Sequence, residues 1–323
     1  MKKLIAMILA LAMVLSLSAV AMADGRTAPE DKKVIITEDF GVQTIFKKPN
    51  AKFYDAPSEQ PGEVVKVEYT TTAYGDELTS WVNVYVPYGY DASQQYNIIY
   101  FLHGTNEDQN SFIGDERAKN TLDNIIEVGI AEPFLMVFPT YYYDYETRAI
   151  DIPAFKNELR NDIMPAVESQ FSTYAPTADT EGFIASREHR AIGGYSRGSY
   201  ATWHMLNGLL DTAKWWLPMS AAISGEAEME VPGPAYEEQV AWLTEALASQ
   251  PGYDYFIYLA CGGPRDMMYE IVSGLFTEML KSDVFSYGMD PSKNNLFFSL
   301  SQEVHQTLQG RLYFYNAFDV IFK

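Results

Sequence analysis

Cysteine is almost absent from this chain of 323 residues, which contains only Cys261. One cysteine cannot form a disulfide within the chain, so the fold must be stable without such cross-links. Cys261 follows the apolar run at 256–260, a setting that favours a packed core side chain over a reactive thiol. We therefore exclude a disulfide scaffold and do not expect a cysteine nucleophile.

Histidine is also scarce, with four in the chain: His103, His189, His204 and His305. No combination of histidine and cysteine has the spacing of a zinc site, and the acidic residues at 107–116 lack the spacing of a calcium-binding EF-hand. The chain also lacks a phosphate-binding P-loop and a dinucleotide-binding fingerprint. We expect neither a metal nor a cofactor.

Positive charge is sparse, because 23 lysines and arginines stand against 43 aspartates and glutamates, for a net charge of −20. This imbalance argues against nucleic acid and anionic membranes as partners. It also predicts some repulsion from polyanionic substrates. The solubility of an exported protein explains the same charge equally well, so the charge alone selects no substrate.

Long apolar runs are limited to one, at residues 4–20. Lys2 and Lys3 precede it and an A-x-A cleavage site at 21–23 follows it, which is the pattern of a secretory signal peptide. The run is on the short side for a helix that spans a membrane. We expect residues 1–23 to be a signal peptide, the mature protein to be secreted and no membrane attachment to remain. An uncleaved membrane anchor is the alternative.

The rest of the chain divides into an arm and one domain. Residues 24–61 contain four prolines and only short apolar runs, which indicates an N-terminal arm or linker. From residue 62 to residue 323, strand patterns alternate with helical patterns. This alternation predicts an α/β domain with a mainly parallel sheet, helices on both faces and an antiparallel edge formed by the first strands. Pro165 should kink or break the predicted helix at 154–171. The predicted strands are 64–69, 81–86, 97–102, 134–138, 190–195, 215–219, 253–261 and 296–300, and the predicted helices are 154–171, 200–210, 237–248, 267–280 and 311–322.

A G-x-S-x-G motif lies at residues 194–198 and places Ser196 between a predicted strand and a predicted helix. This strand-turn-helix context is that of the nucleophile elbow of α/β-hydrolases. The tight turn requires small residues two positions on either side of the serine, and Gly194 and Gly198 meet that requirement. The motif predicts Ser196 as a nucleophile. A glycine-rich turn with a serine helix cap is the alternative.

A serine nucleophile needs a base, and the four histidines allow elimination. His103 ends a predicted strand, at a position that suits an oxyanion loop. His189 lies at the far end of the incoming strand, and His204 lies roughly 12 Å along the helix from Ser196. His305 follows the last predicted strand, where the Ser-acid-His order of this fold places the base. We predict His305 as the base, with an ordinary surface histidine as the alternative.

The acid should lie between the serine and the base in a loop after a strand. Asp266 occupies such a loop and is predicted to orient the imidazole. A cap for the following helix is its alternative role. Asp254, Glu270 and Asp283 are lesser candidates for the acid.

Two backbone N–H groups are predicted to form the oxyanion hole. One belongs to Arg197, next to the nucleophile, and the other to Gly104 or Thr105, in the loop after His103.

A run of tyrosines follows the predicted strand 134–138, at the end of the sheet where ligands bind in α/β proteins. Tyr141, Tyr142 and Tyr143 are predicted to bind substrate by stacking on a sugar or phenolic ring. A loop that packs on itself is the alternative.

The region around the serine resembles a known family. Residues 184–196 are similar to the nucleophile region of the esterase D-like family, and the likeness runs from about residue 63 to the end of the chain. Within that family, the sequence is most similar to feruloyl and acetyl-xylan esterases of carbohydrate esterase family 1. The other similar segments are 83–91, 100–104, 202–203 and 217–220.

The resemblance implies an α/β-hydrolase fold, with Ser196, Asp266 and His305 at the positions of the family's catalytic triad. The sequence departs from the family at three places. The loop after His103-Gly104 is usually richer in glycine than the Thr105-Asn106 found here. Arg197-Gly198-Ser199 stands where Met-Gly-Gly is usual, and Gln306 stands where an aromatic residue often follows the histidine.

These features predict a secreted serine esterase that removes feruloyl or acetyl groups from plant cell-wall polysaccharide (xylan) or its oligosaccharides through an acyl-enzyme. An acyltransferase or general esterase on the same fold is one alternative. A catalytically silent carbohydrate-binding relative is another, suggested by Arg197 and Ser199. The sequence predicts no oligomeric state.

Overall fold

The computed structural model describes residues 32–36, 40–144, 146–224 and 235–323. The predicted signal peptide at 1–23 and the first residues of the predicted arm lie outside the described residues. Among the described helices, none has the length and apolar character needed to cross a membrane.

Most strands of the central sheet contain short runs of apolar and β-branched residues. Five predicted strands are confirmed at both ends, namely 97–102, 134–138, 190–195, 215–219 and 296–300. The strands are β1 (Lys32–Ile36), β2 (Thr44–Lys48), β3 (Glu63–Thr71), β4 (Leu78–Val86), β5 (Asn97–Leu102), β6 (Phe134–Phe138), β7 (Tyr142–Asp144), β8 (Ala149–Ile150), β9 (Arg190–Tyr195), β10 (Trp215–Met219), β11 (Phe256–Cys261) and β12 (Leu296–Leu300).

The central sheet has eight strands in the order β12-β11-β10-β9-β5-β6-β4-β3. Neighbouring strands from β12 to β6 run parallel, whereas β4 is antiparallel to both β6 and β3. The predicted parallel sheet with an antiparallel edge is therefore confirmed. Because the parallel strands end at one edge, the loops that follow β5, β9, β10, β11 and β12 meet there.

Helices cover both faces of the sheet, as the sequence predicts. Alternate residues of β5 belong to two separate apolar clusters, one on each face, because successive side chains of a strand point in opposite directions. The helices are α1 (Lys52–Asp55), α2 (Glu116–Glu127), α3 (Ile152–Glu158), α4 (Met164–Glu168), α5 (Thr180–Ala185), α6 (Arg197–Leu209), α7 (Tyr236–Ala248), α8 (Tyr269–Met279) and α9 (Gly310–Ala317).

Two predicted helices differ from those observed in continuity or by more than three residues at one end, whereas the ends of the others agree within three residues. The predicted helix 154–171 is divided into α3, a π-helical turn at Leu159–Ile163, and α4. Pro165 lies two residues after the end of the π turn, and its missing N–H prevents a regular α-helical hydrogen bond at this point. The predicted helix 311–322 ends at Ala317 in α9, after which hydrogen bonds between residues three apart occur together with bonds between residues four apart.

The described part of the predicted arm packs on the domain. β1 and β2 form an antiparallel hairpin, and the Phe46 side chain in β2 is buried in one of the two apolar clusters. The Lys47 backbone exchanges hydrogen bonds with the Asn316 side chain of α9, at 2.6 and 2.8 Å. The hairpin is therefore held against the domain by both apolar and polar contacts.

Candidate active site

Ser196 lies in a strained turn between β9 and α6. Its backbone has φ 55° and ψ −119°, a conformation that residues other than glycine rarely adopt. A Cβ at Gly194 would lie 2.8 Å from the Gly198 Cα, and a Cβ at Gly198 would lie 2.7 Å from the His103 carbonyl oxygen. The two glycines of the motif therefore allow the close approach that the turn requires.

The structure brings the three predicted triad residues into one hydrogen-bonded chain. His305 Nε2 lies 2.9 Å from Ser196 Oγ, and His305 Nδ1 lies 2.8 Å from Asp266 Oδ1. An ionised carboxylate only accepts hydrogen bonds, so Nδ1 carries the proton and Nε2 accepts from the serine hydroxyl. This arrangement can remove a proton from Ser196 as its oxygen attacks.

Asp266 is almost fully buried, and both of its oxygens accept several hydrogen bonds. Oδ1 also accepts from the Met268 N–H at 2.9 Å, while Oδ2 accepts from Ser220 Oγ at 2.9 Å and from the Gly262 N–H at 3.1 Å. Burial alone would raise the pKa of Asp266, but the hydrogen bonds, that of His305 first, outweigh burial and lower it. The carboxylate therefore stays ionised opposite the imidazole.

The lesser acid candidates lie elsewhere. Asp254 is exposed and pairs with Arg187 at 2.6 Å and with Lys214 at 2.8 Å. Glu270 and Asp283 have exposed side chains. Within the described part of the chain, the carboxylate hydrogen-bonded to His305 is that of Asp266.

Two of the other histidines contact groups away from the serine. His189 bonds the Asn97 side chain at 2.8 Å, and His204 bonds the Ile223 carbonyl oxygen at 3.1 Å. These positions agree with their elimination as the base.

His103 organises the loop after β5. Its Nδ1 lies 2.8 Å from the Gly104 carbonyl oxygen, and its Nε2 lies 2.8 Å from Thr140 Oγ1. A carbonyl oxygen only accepts, so Nδ1 carries the proton and the threonine hydroxyl donates to Nε2. Burial lowers the pKa of His103 to about 4, so the ring is neutral at ordinary pH.

The Gly104 N–H, one of the predicted oxyanion donors, points at a carboxylate. It donates to Glu107 Oε2 at 2.8 Å. A Cβ at Gly104 would lie 2.8 Å from Thr307 Oγ1, so glycine allows this loop to approach the turn after His305. Arg197, the other predicted donor, is the first residue of α6, and N–H groups of a first helical turn favour negative charge.

A cavity of about 550 Å³ opens at Ser196 and His305. Its size is typical of a small-molecule binding site. Its remaining lining residues are Gly104, Thr105, Glu107, Ser111, Asp115, Tyr195, Met267, Gln306, Thr307 and Leu308.

The tyrosines predicted to bind substrate are not among the described residues that line this cavity. Tyr141 is buried, and its hydroxyl donates to the carbonyl oxygens of His103 and Gly104 at 3.0 and 3.1 Å. The Tyr142 hydroxyl accepts from the Asn106 N–H at 3.2 Å. Tyr143 is partly exposed and stacks on Tyr74, with ring centroids 4.7 Å apart. Two of the three therefore support the loop that borders the site.

Three polar residues at the site were missed by sequence reasoning. Ser220 directly follows β10, and its place at the carboxyl edge of the sheet was a signal for it. Tyr195 ends β9 at the same edge, but its partner Gln306 is distant in sequence, and the contact of Glu107 depends on the path of a loop. Among the described residues, no group of three or more His, Cys, Asp or Glu side chains is placed to hold a metal ion.

Comparison with known proteins identifies the class. Residues 73–282 match the Esterase family, and the chain belongs to this family. Endo-1,4-beta-xylanase Y of Acetivibrio thermocellus is 32% identical over 279 residues, which cover 85% of this chain and 24% of that protein. An endo-1,4-beta-xylanase/feruloyl esterase of Xylanibacter ruminicola is 26% identical over 150 residues, 44% of this chain and 19% of that protein. The chain thus spans about a quarter or less of these curated relatives.

Solved structures agree with this class. A protein designated FAE is 31% identical with a TM-score of 0.75, and the match covers 85% of this chain and 93% of that one. A serine-to-alanine variant of the feruloyl esterase module from Clostridium thermocellum, complexed with sinapinate, is 30% identical with a TM-score of 0.74, covering 86% and 94%. The predicted α/β-hydrolase fold and the resemblance to feruloyl esterases are confirmed.

Proposed function

We propose that this esterase is secreted and removes feruloyl or acetyl groups from plant cell-wall polysaccharide, xylan in particular, through an acyl-enzyme on Ser196. The observation that carries the proposal is the hydrogen-bonded chain of Ser196, His305 and Asp266, in which Ser196 and His305 line the cavity. The leader pattern at residues 1–23 supports secretion.

In the proposed reaction, Ser196 Oγ attacks the ester carbonyl carbon while His305 Nε2 takes the serine proton. The tetrahedral intermediate collapses, and the protonated imidazole returns that proton to the departing sugar oxygen. Water then attacks the acyl-serine by the same route, with His305 again as the base, and releases the carboxylic acid. Asp266 holds the imidazole in the required tautomer and stabilises its charged form.

The oxyanion of each intermediate requires N–H donors placed where negative charge develops. The Arg197 N–H, at the start of α6, is the first proposed donor. The second proposed donor is the N–H of Gly104 or of Thr105, in the loop after His103, where the Gly104 N–H donates to Glu107. Glu107 then serves to hold the loop in place.

The proposed substrate class follows from the relatives and suits the cavity. The relatives include proteins named as xylanases and feruloyl esterases, and one similar module binds sinapinate. The lining has apolar side chains, with Met267 and Leu308 as the first part, and polar ones that include Glu107 and Asp115 as the second. An aromatic acyl group suits the first part and sugar hydroxyl groups suit the second. The predicted stacking by Tyr141, Tyr142 and Tyr143 remains a proposal, and the exposed Tyr143 is the best placed of them to meet a sugar.

The deciding experiment compares wild type with Ser196→Ala on methyl ferulate and on a simple aryl acetate. Loss of a triad member typically lowers the rate by several orders of magnitude, so we expect essentially no turnover from a variant that keeps its circular dichroism spectrum. Ser169→Ala, an exposed serine at the end of α4, is the matched control.

Labelling with a fluorophosphonate separates an esterase from a silent sugar-binding relative. We expect wild type to be labelled at Ser196 and Ser196→Ala to remain unlabelled. Activity of Ser196→Ala within tenfold of wild type would refute the nucleophile. Hydrolysis of the aryl acetate with no turnover of methyl ferulate would refute the feruloyl assignment alone.

A further inference from the structure

Tyr195, the residue before the nucleophile, contacts the segment that carries the base. It is fully buried at the end of β9. Its hydroxyl accepts a hydrogen bond at 2.8 Å from the N–H of Gln306, the residue directly after His305 in the chain. Its ring centroid lies 5.1 Å from that of His305, with the planes inclined by 46°. One side chain therefore contacts both the backbone and the ring of the predicted base.

We infer that Tyr195 is a positioning residue whose hydroxyl and ring hold His305 with Nε2 facing Ser196. The inference rests on the proposed function, because it assumes that His305 acts on Ser196. It extends that function by assigning a task to a residue that does not itself touch the reacting atoms.

The loop that carries His305 needs such an anchor. It runs from the end of β12 at Leu300 to the short 3₁₀ helix Thr307–Gln309, and His305 lies outside both elements. Other contacts hold the first part of the loop. The Glu303 N–H donates to Ser301 Oγ at 3.1 Å, Arg265 donates to the Gln302 carbonyl oxygen at 2.7 Å, and Lys48 pairs with Glu303.

The Tyr195 contact comes next to the histidine itself, at Gln306. A hydrogen bond at this point limits rotation of the backbone beside His305 and hence the direction of the imidazole. The earlier contacts in the loop are two or more residues away and constrain that direction less. Tyr195 is thus placed to set the Ser196–His305 distance.

The hydroxyl also stays in one protonation state. Burial, followed by the nearby charge of Asp266, raises the pKa of Tyr195 well above its usual value. The hydroxyl therefore stays neutral at ordinary pH and can accept from the Gln306 N–H. Tyr195 directly precedes Ser196 in the chain. The stretch of backbone that carries the nucleophile therefore also carries the side chain that positions the base.

Tyr195→Phe tests the inference, because phenylalanine keeps the ring and removes only the hydroxyl. We expect kcat per active site to fall about tenfold with KM within about twofold of wild type, on the ester that wild type hydrolyses fastest. A tenfold fall corresponds to about 1.4 kcal/mol of transition-state stabilisation. The rate of fluorophosphonate labelling should fall in parallel, since labelling uses the same serine and histidine.

The matched control is Tyr85→Phe. The Tyr85 hydroxyl is also buried and donates to Asp123 Oδ1 at 2.8 Å, in contact with α2 rather than with the triad. Tyr85→Phe should lower the melting temperature without changing kcat per active site. Counting active sites by labelling corrects both variants for any unfolded fraction.

The outcomes separate the inference from the function on which it rests. If wild type is labelled and active, and Tyr195→Phe matches it in kcat and labelling rate, the positioning role is wrong while the proposed function stands. If Tyr195→Phe differs from wild type only in melting temperature, as Tyr85→Phe should, the role is structural and the inference fails. If wild type is not labelled at Ser196, the proposed function and the inference both fail.

Discussion

Low pH should destabilise the folded protein through His103, a buried histidine whose ring stays neutral in the folded state. Burial holds the pKa of His103 at about 4, against an ordinary value of about 6.5 in an unfolded chain. Above pH 6.5 the ring is neutral in both states and contributes no pH dependence. Between pH 6.5 and 4 the unfolded chain binds a proton that the folded protein does not, so stability falls as pH falls.

The size of the effect follows from the two pKa values. Each unit of separation is worth about 1.36 kcal/mol. Integration from pH 7.5 to pH 4.5 gives a loss of about 2.5 kcal/mol in the free energy of unfolding from this one group. That is a large share of the 5–15 kcal/mol by which folded proteins are typically stable.

Urea denaturation at a series of pH values measures this loss, with His103→Gln as the comparison. Glutamine does not titrate and can still donate and accept hydrogen bonds. Its stability at neutral pH is not the readout, because only the change between pH 7.5 and 4.5 is compared. We expect wild type to lose about 2.5 kcal/mol more than the variant over that range. Equal losses in the two proteins would refute the argument that His103 is neutral because it is buried.

Two further substitutions probe the site. Asp266→Asn should keep the fold and lower kcat by roughly three orders of magnitude or more, because the amide no longer holds the imidazole tautomer. The control Glu270→Gln should have little effect on kcat. The reverse result would assign the role of the acid to Glu270. Gly198→Ala should lower the free energy of unfolding by about 2–3 kcal/mol in urea titrations, because the new methyl group would lie 2.7 Å from the His103 carbonyl oxygen. An unchanged free energy of unfolding would contradict the tight turn.

The sequence alone determined the parts of this protein that depend on local pattern. Strands such as β5 and β9 are buried on both faces, so they appear as short continuous apolar runs with clear ends. The G-x-S-x-G motif reports a turn that only small neighbours permit, and the scarcity of histidine made elimination possible. These features need no knowledge of distant contacts.

The tertiary structure decided the contacts between segments far apart in the chain. Asp266 and His305 are separated by 39 residues, and their contact depends on neighbouring parallel strands ending at one edge. Sequence offered several acidic residues for that contact, but only folding shows which loop turns inward.

Polar side chains in loops were beyond the reach of the sequence for the same reason. Glu107 accepts from the Gly104 N–H, and Tyr195 accepts from the Gln306 N–H, because of loop paths that no periodic pattern encodes. Tyr141 and Tyr142 turn inward to support the loop after His103, although a run of tyrosines in the sequence suits a binding surface equally well. Apolar burial fixes strands and helices through their period, whereas the partner of a polar group depends on which distant segment comes within hydrogen-bonding distance.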